Sequence, residues 1–329
     1  MTFIFALILG FVLSHSIPFF DIRNVPNFTL LLYTMLAIGL YGAVHGIDLE
    51  EFKNHRMLIV RAVTFGVVIK SIISGCVIWL LFHTPYAFIF GIIVAQIDPI
   101  SVAHLLDGKS DMFSKGARTI LRAWSSFDDP MTVLLALYIY LPLVVSKNGN
   151  FTIQQYGTGV IENILFALAL FLVAKFVAKN NTIKLLLLCV AFLIAIPQQL
   201  MLGIALTGLF LRPTISSLPR IVSVTFFIAA LLLGSLLTIS ESTILLGIAL
   251  GIVAFAGQGI VTPLVASKLN VTDKLFLAFS QYNGITSVIL ALIISQWIPQ
   301  TVSVIAFAVL TINLLYYGTN YFLNRALTK

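Results

Sequence analysis

Long apolar runs separated by short polar connections recur from residue 2 to residue 323 of the chain. A helix that crosses a bilayer takes about 20 mostly apolar residues. By that measure the runs divide into twelve spans, at 2–20, 28–45, 57–82, 86–106, 117–142, 157–178, 183–196, 198–211, 220–239, 242–266, 274–296 and 300–323. The seventh and eighth are short and meet at Pro197, with Gln198 and Gln199 at the apex. They read as a tight helical hairpin or as one broken re-entrant element. The pattern predicts an all-α polytopic membrane protein with about 12 transmembrane helices.

Composition sharpens this. Of the 329 residues 60% are hydrophobic and 9% charged, against about 25% charged in soluble domains. The runs leave no room for a large soluble domain. The first run lacks a basic leader and a small-residue cleavage pattern, so it reads as a retained helix. Cys76 and Cys189 sit inside apolar runs without metal-ligand spacing and read as small packing residues. No pattern calls for a cofactor. No histidine metal cluster, Gly-x-Ser-x-Gly turn or phosphate-binding glycine loop occurs, which counts against a membrane enzyme.

The net charge of +7 has a topological cause rather than a nucleic-acid partner. When connections are assigned alternately to two sides, sixteen of the nineteen Lys and Arg residues fall on one side. Arg23 and Lys147 fall on the other, and Lys70 lies within the third span. Positive-inside bias then puts both termini in the cytoplasm, in a chain of the cytoplasmic membrane. The basic side faces anionic lipid.

With that topology spans 1–5 start from the cytoplasm and spans 8–12 from outside. Two inverted five-helix repeats are therefore expected, with spans 6 and 7 as connectors. Inverted repeats are common in secondary transporters, whose sites lie at mid-membrane on interrupted helices. Spans 4 and 11 are the interrupted pair. In span 4, Pro99 removes a backbone donor and disfavours helix at Asp98. In span 11, Gln281, Asn283, Gly284, Thr286 and Ser287 surround an Asn-Gly turn at membrane depth. Non-helical backbone at that depth must be buried or face a wet cavity.

Candidate chemistry gathers at the same depth. Asp128 and Asp129 are adjacent in the fifth span. A carboxylate there costs about 2.5–3.5 kcal/mol on insertion scales, so a cation or proton site is the leading reading. Neighbours on a helix point about 100° apart, so one aspartate is expected to face the ion and the other to support it. Ser125 and Thr132 share the Asp128 face and offer ligand oxygens. Asp98 reads as a ligand or as a cap on half-helix N-termini. Gln96 and Ser101 are weaker candidates. Lys70, near the middle of span 3, either pairs with an aspartate or snorkels to an interface. His15, His45, His83 and His104, with Glu162 and Glu241, read as interfacial.

These segments resemble a known family. AQIDPISVAHLL looks like the helix-break region of the monovalent cation:proton antiporter superfamily, and SSFDDPMTVLL like its ion-binding Asp-Asp motif. AFAGQGIVTPLVASKL and AFSQYNGITSVILAL fall where the tenth and eleventh helices of that family lie. The resemblance implies a sodium/proton antiporter fold, a homodimer, and exchange of Na⁺ or Li⁺, in some members K⁺, for H⁺. It makes Asp129 the main carrier, with Asp128 and Asp98 beside it. It implies core helices at about 57–142 and 242–323, scaffold and dimerisation helices at about 2–45 and 198–239, and connectors at about 157–196. Three positions depart from the family pattern. Ile97 replaces a threonine, while Gln258 and Asn283 stand where many members carry a basic residue. Lys70 is thus the one Lys or Arg at that depth. The rival reading is a cation-coupled symporter of an organic solute on the same inverted-repeat fold. The absence of an arginine at the centre of any span counts against that rival.

Overall fold

Helices follow the predicted spans one for one: α1 (Thr2–Ser16), α2 (Phe28–His45), α3 (60–82), α4 (Ala87–Val94), α5 (115–145), α6 (Ile153–Val177), α7 (Asn181–Ala195), α8 (Met201–Phe210), α9 (Leu218–Ser235), α10 (Glu241–Val265), α11a (Val271–Ala278) with α11b (Ile285–Ile294), and α12 (Thr301–Leu327). They come from a computed structural model that describes residues 2–16, 27–47, 60–99, 101–102, 106, 113–145, 153–177, 180–267 and 269–327. Arg23, Lys147 and His104 lie outside the described residues. Among the described residues, seven helices are each long and apolar enough to cross a bilayer.

Side chains are distributed inside out relative to a soluble protein. Leu165, Phe176, Leu193 and Phe322 are exposed on the exterior, whereas Lys70, Asp98, Asp128, Asp129 and Gln281 are buried. An apolar exterior suits lipid, and polar groups facing a bundle interior are the usual arrangement in membranes.

Of the two readings of 183–211, the chain adopts the tight hairpin. Leu200 N–H bonds to Ala195 O at 2.8 Å, and Gln199 takes a left-handed φ of 56° to close the turn. Helix contacts depend on small residues. α1 and α9 cross so closely that a Cβ on Gly10 would overlap the Leu231 carbonyl, and one on Gly234 the Leu7 carbonyl. Without a hydrophobic force between helices in lipid, such close backbone approach is what holds them. The remaining tight pairs are α2 with α8, α3 with α4 and α10, and α10 with α12.

Two π-helical turns, Ala62–Val67 in α3 and Leu134–Tyr140 in α5, were not anticipated by the pattern. The second follows Pro130, which sits inside α5 without an N–H to give. Isolated π turns often mark functional positions.

Candidate ion-binding site

The site begins where α4 and α11 come apart. Residues 95–98 and 279–284 leave helical geometry and run past each other, joined by Asp98 N–H to Tyr282 O at 2.8 Å. An unwound backbone in an apolar layer must find other partners, and here side-chain amides supply them. Gln281 Nε2 donates to Val94 O and Gln96 O, each at 2.9 Å, and Asn283 Nδ2 donates to Val94 O at 3.2 Å. Ser287 Oγ donates to Ile93 O at 2.9 Å. From α12, Asn313 accepts from Asn283 N–H at 3.1 Å and donates to Asn283 O at 3.2 Å. Asn320 Nδ2 donates to Phe279 O at 3.1 Å.

Asn283, a candidate from sequence, therefore holds the crossing together. Asn313 and Asn320 were missed. The available signal was two amides inside the apolar run of span 12.

The three aspartates meet around this crossing. Asp98 is capped by Ser101 N–H at 2.8 Å on Oδ2. Its carboxylate lies against Gly284, where an added Cβ would overlap it. Asp128 and Asp129 face different partners, as adjacent helical residues must. Asp128 Oδ2 accepts Ile97 N–H at 3.1 Å and stands 3.9 Å from Lys70 Nζ. Asp129 is directed toward the start of α11b. Its Oδ1 accepts from the Gln96 amide when that amide is turned to suit its neighbours, so that the Gln96 oxygen takes the Ser287 N–H. The Thr286 hydroxyl also faces the Asp129 carboxylate. All three aspartates are almost fully buried, Asp98 being the most exposed at 6%.

Lys70 reaches inward from α3 and does not snorkel. Its ammonium donates to Gln258 Oε1 at 2.9 Å and Gln281 Oε1 at 2.8 Å, and lies 5.7 Å from the centre of the Trp124 ring. A buried charge needs such compensation. Gln258 completes the brace by donating to Leu277 O at 3.1 Å. Gln281, not singled out beforehand as a site residue, is the hinge of the network, touching Lys70, the unwound end of α4 and Asn283.

The other candidates separate into two groups. Thr132 is fully buried, and its hydroxyl has no hydrogen-bond partner. Ser125 gives its hydroxyl to Arg122 O at 3.1 Å and so to its own helix. His15 contacts Phe11 O and His45 contacts Pro213 O, while His83 ends α3 with a φ of 48°. Glu162 and Glu241 are exposed. Among the described residues no three His, Cys, Asp or Glu side chains form a metal-holding group.

Two broken helices crossing among buried carboxylates define a polytopic helical membrane protein of the sodium/proton antiporter fold. The structure of the sodium proton antiporter MjNhaP1 from Methanocaldococcus jannaschii at pH 8 matches with a TM-score of 0.77 and 18% identity, over 96% of this chain and 92% of that one. A structure of the same antiporter from a three-dimensional electron-microscopy map matches with a TM-score of 0.67 and 18% identity, over 98% and 90%. No family model matches the sequence, and no curated protein does.

Proposed function

We propose that the protein is a secondary active transporter that exchanges a monovalent cation, Na⁺ or Li⁺ with K⁺ as a further candidate, for H⁺. Asp129 carries this reading. It is a buried carboxylate at the helix crossing whose Oδ2 has no hydrogen-bond partner, while the neighbouring Asp128 is answered by Lys70. An uncompensated charge in an apolar site is strongly disfavoured. Asp129 therefore holds either a proton or a cation, and loading a cation releases the proton. Asp98 and Thr132 are the neighbouring oxygen donors in this scheme, and Asp128 with Lys70 sets the local charge. The symporter reading would need an organic solute, and the crossing offers it no buried arginine among the described residues.

The inverted repeat is supported by packing. Exchanging spans 1–5 with 8–12 in order turns the α1–α9 contact into the α8–α2 contact, and α3–α4 into α10–α11a; all four occur. The cytoplasmic placement of basic residues is supported by Arg212, which donates to Val44 O at 3.1 Å and Ile47 O at 2.8 Å. These bonds gather the ends of α2 and α8 on one side. In this reading α3–α5 and α10–α12 form a core that rocks against α1, α2, α8 and α9, in a homodimer in the cytoplasmic membrane.

The test is proton flux in proteoliposomes at clamped voltage. Addition of Na⁺, Li⁺ or K⁺ should dissipate an imposed ΔpH, with an apparent KM for the cation that rises as pH falls because protons compete for the same carboxylate. A ΔpH that none of the three cations dissipates rejects antiport.

A further inference from the structure

Buried polar side chains are nearly always hydrogen-bonded, yet two hydroxyls at the crossing are not: Thr132 Oγ1 and Thr286 Oγ1. Thr286 is 1% exposed and stands in the first turn of α11b. Several helical threonines of this chain give their hydroxyl to the carbonyl four residues back. Thr207 does so to Gly203 O at 2.8 Å, Thr262 to Gln258 O at 2.7 Å and Thr311 to Phe307 O at 2.8 Å.

Thr286 does not make that bond. The carbonyl four residues back belongs to Tyr282, which lies in the unwound stretch and not in a helical turn, and accepts Asp98 N–H at 2.8 Å. Gln96 bridges Asp129 Oδ1 to Ser287, the residue after Thr286, and the Thr286 hydroxyl is turned toward the Asp129 carboxylate. Neither that hydroxyl nor Asp129 Oδ2 reaches full hydrogen-bond geometry with any group, so two buried oxygens from different helices face each other beside the positive end of α11b.

We infer that Thr286 is a cation ligand contributed by α11b, and that its oxygen sets the affinity of the Asp129 site for small monovalent cations. The inference rests on the antiport reading and adds a residue to it. Position 97, in the facing break, is an isoleucine with no side-chain oxygen to offer. The neutral donor comes instead from the opposite helix. A hydroxyl carries no charge, so its loss weakens cation binding without changing how many protons each cation displaces.

The test measures KM for Na⁺ and Li⁺, and the H⁺:cation ratio, in proteoliposomes of wild type, Thr286→Val and Thr286→Ser. Valine matches the shape of threonine and removes the oxygen; serine returns it. The valine variant should raise KM about tenfold, the order expected for one good polar contact to a charged site. It should keep the wild-type ratio, and serine should recover most of the affinity. An unchanged KM in the valine variant overturns the inference, as does an equal loss in both variants, which would mark a packing role. Thr286→Ala carries the same comparison if the valine variant does not fold.

Calorimetric titration of the purified proteins with NaCl, against choline chloride, separates this inference from the antiport reading. If wild type shows no proton flux, antiport fails. The ligand role then stands if Na⁺ binding weakens in the valine variant, and falls if it does not.

Discussion

Adjacent aspartates with unequal surroundings give the site its division of labour. Asp128 has a backbone N–H and an ammonium within reach, whereas Asp129 has an amide and the Thr286 hydroxyl. Asp129→Asn should therefore abolish cation-dependent proton flux in proteoliposomes; full activity in that variant would move the carrier elsewhere. Lys70 makes the complementary case. Its Nζ is closer to the two glutamine oxygens than to Asp128, but only Asp128 balances its charge. Removing one partner of a buried pair typically costs about 3–5 kcal/mol. Lys70→Gln should lower thermal stability in detergent by that order, and adding Asp128→Asn should restore part of the loss. A double variant no more stable than Lys70→Gln alone would show that the two charges are not coupled. Much of this cluster was legible in the sequence, because Asp98, Asp128, Asp129 and Lys70 stand out as charges inside apolar runs. What the neutral residues around them do was less legible. Gln281 and Thr286 stand out as polar residues of the broken span 11, but Gln281 and Asn313 bond to groups tens of residues away or more, and no periodicity reveals such pairs.

At the scale of single helices, the breaks in α4 and α11 were legible from Pro99 and from Asn283–Gly284, which cannot continue a helix comfortably. The π turns were not, because a widened turn of leucine and tyrosine has the same hydropathy as a regular one. What keeps the breaks from collapsing is the amide scaffold, and Asn313 is its most exacting member. It satisfies both the N–H and the C=O of Asn283 from a separate helix. Asn313→Leu leaves both groups buried and unpaired, at about 1–3 kcal/mol for each. The expected result is a lower unfolding temperature and a weakened response to Na⁺ at an unaltered Asp129. If Asn313→Leu unfolds at the wild-type temperature, the crossing is supported by other contacts.

The molecule as a whole encloses Asp98, Asp128 and Asp129, so in the exchange reading access from either side requires one group of helices to move past another. A contact suited to reporting that movement lies at the end of α5. Tyr138, in the π turn beyond Asp128 and Asp129, donates its hydroxyl to Gln199 O at 2.5 Å and accepts Met201 N–H at 3.1 Å. It thereby ties the helix of Asp128 and Asp129 to the hairpin between α7 and α8. Beside it, Tyr33, Pro142, Gln199 and Trp297 line a cleft of about 270 Å³, and Tyr33 and Gln199 also line a larger one of about 680 Å³. If the core rocks, this joint opens and closes once in each cycle. Cysteines placed at Tyr138 and Gln199, in a background where the exposed Cys76 and Cys189 are replaced by serine, can be bridged by a short cleavable thiol-reactive linker. Bridging should arrest cation–proton exchange, and reduction of the linker should restore it. The same linker attached through either cysteine alone should leave exchange running, which separates tethering from simple obstruction of the cleft. Exchange at the wild-type rate in the bridged protein would mean that α5 and the hairpin travel together, and the moving boundary would then lie between other helices.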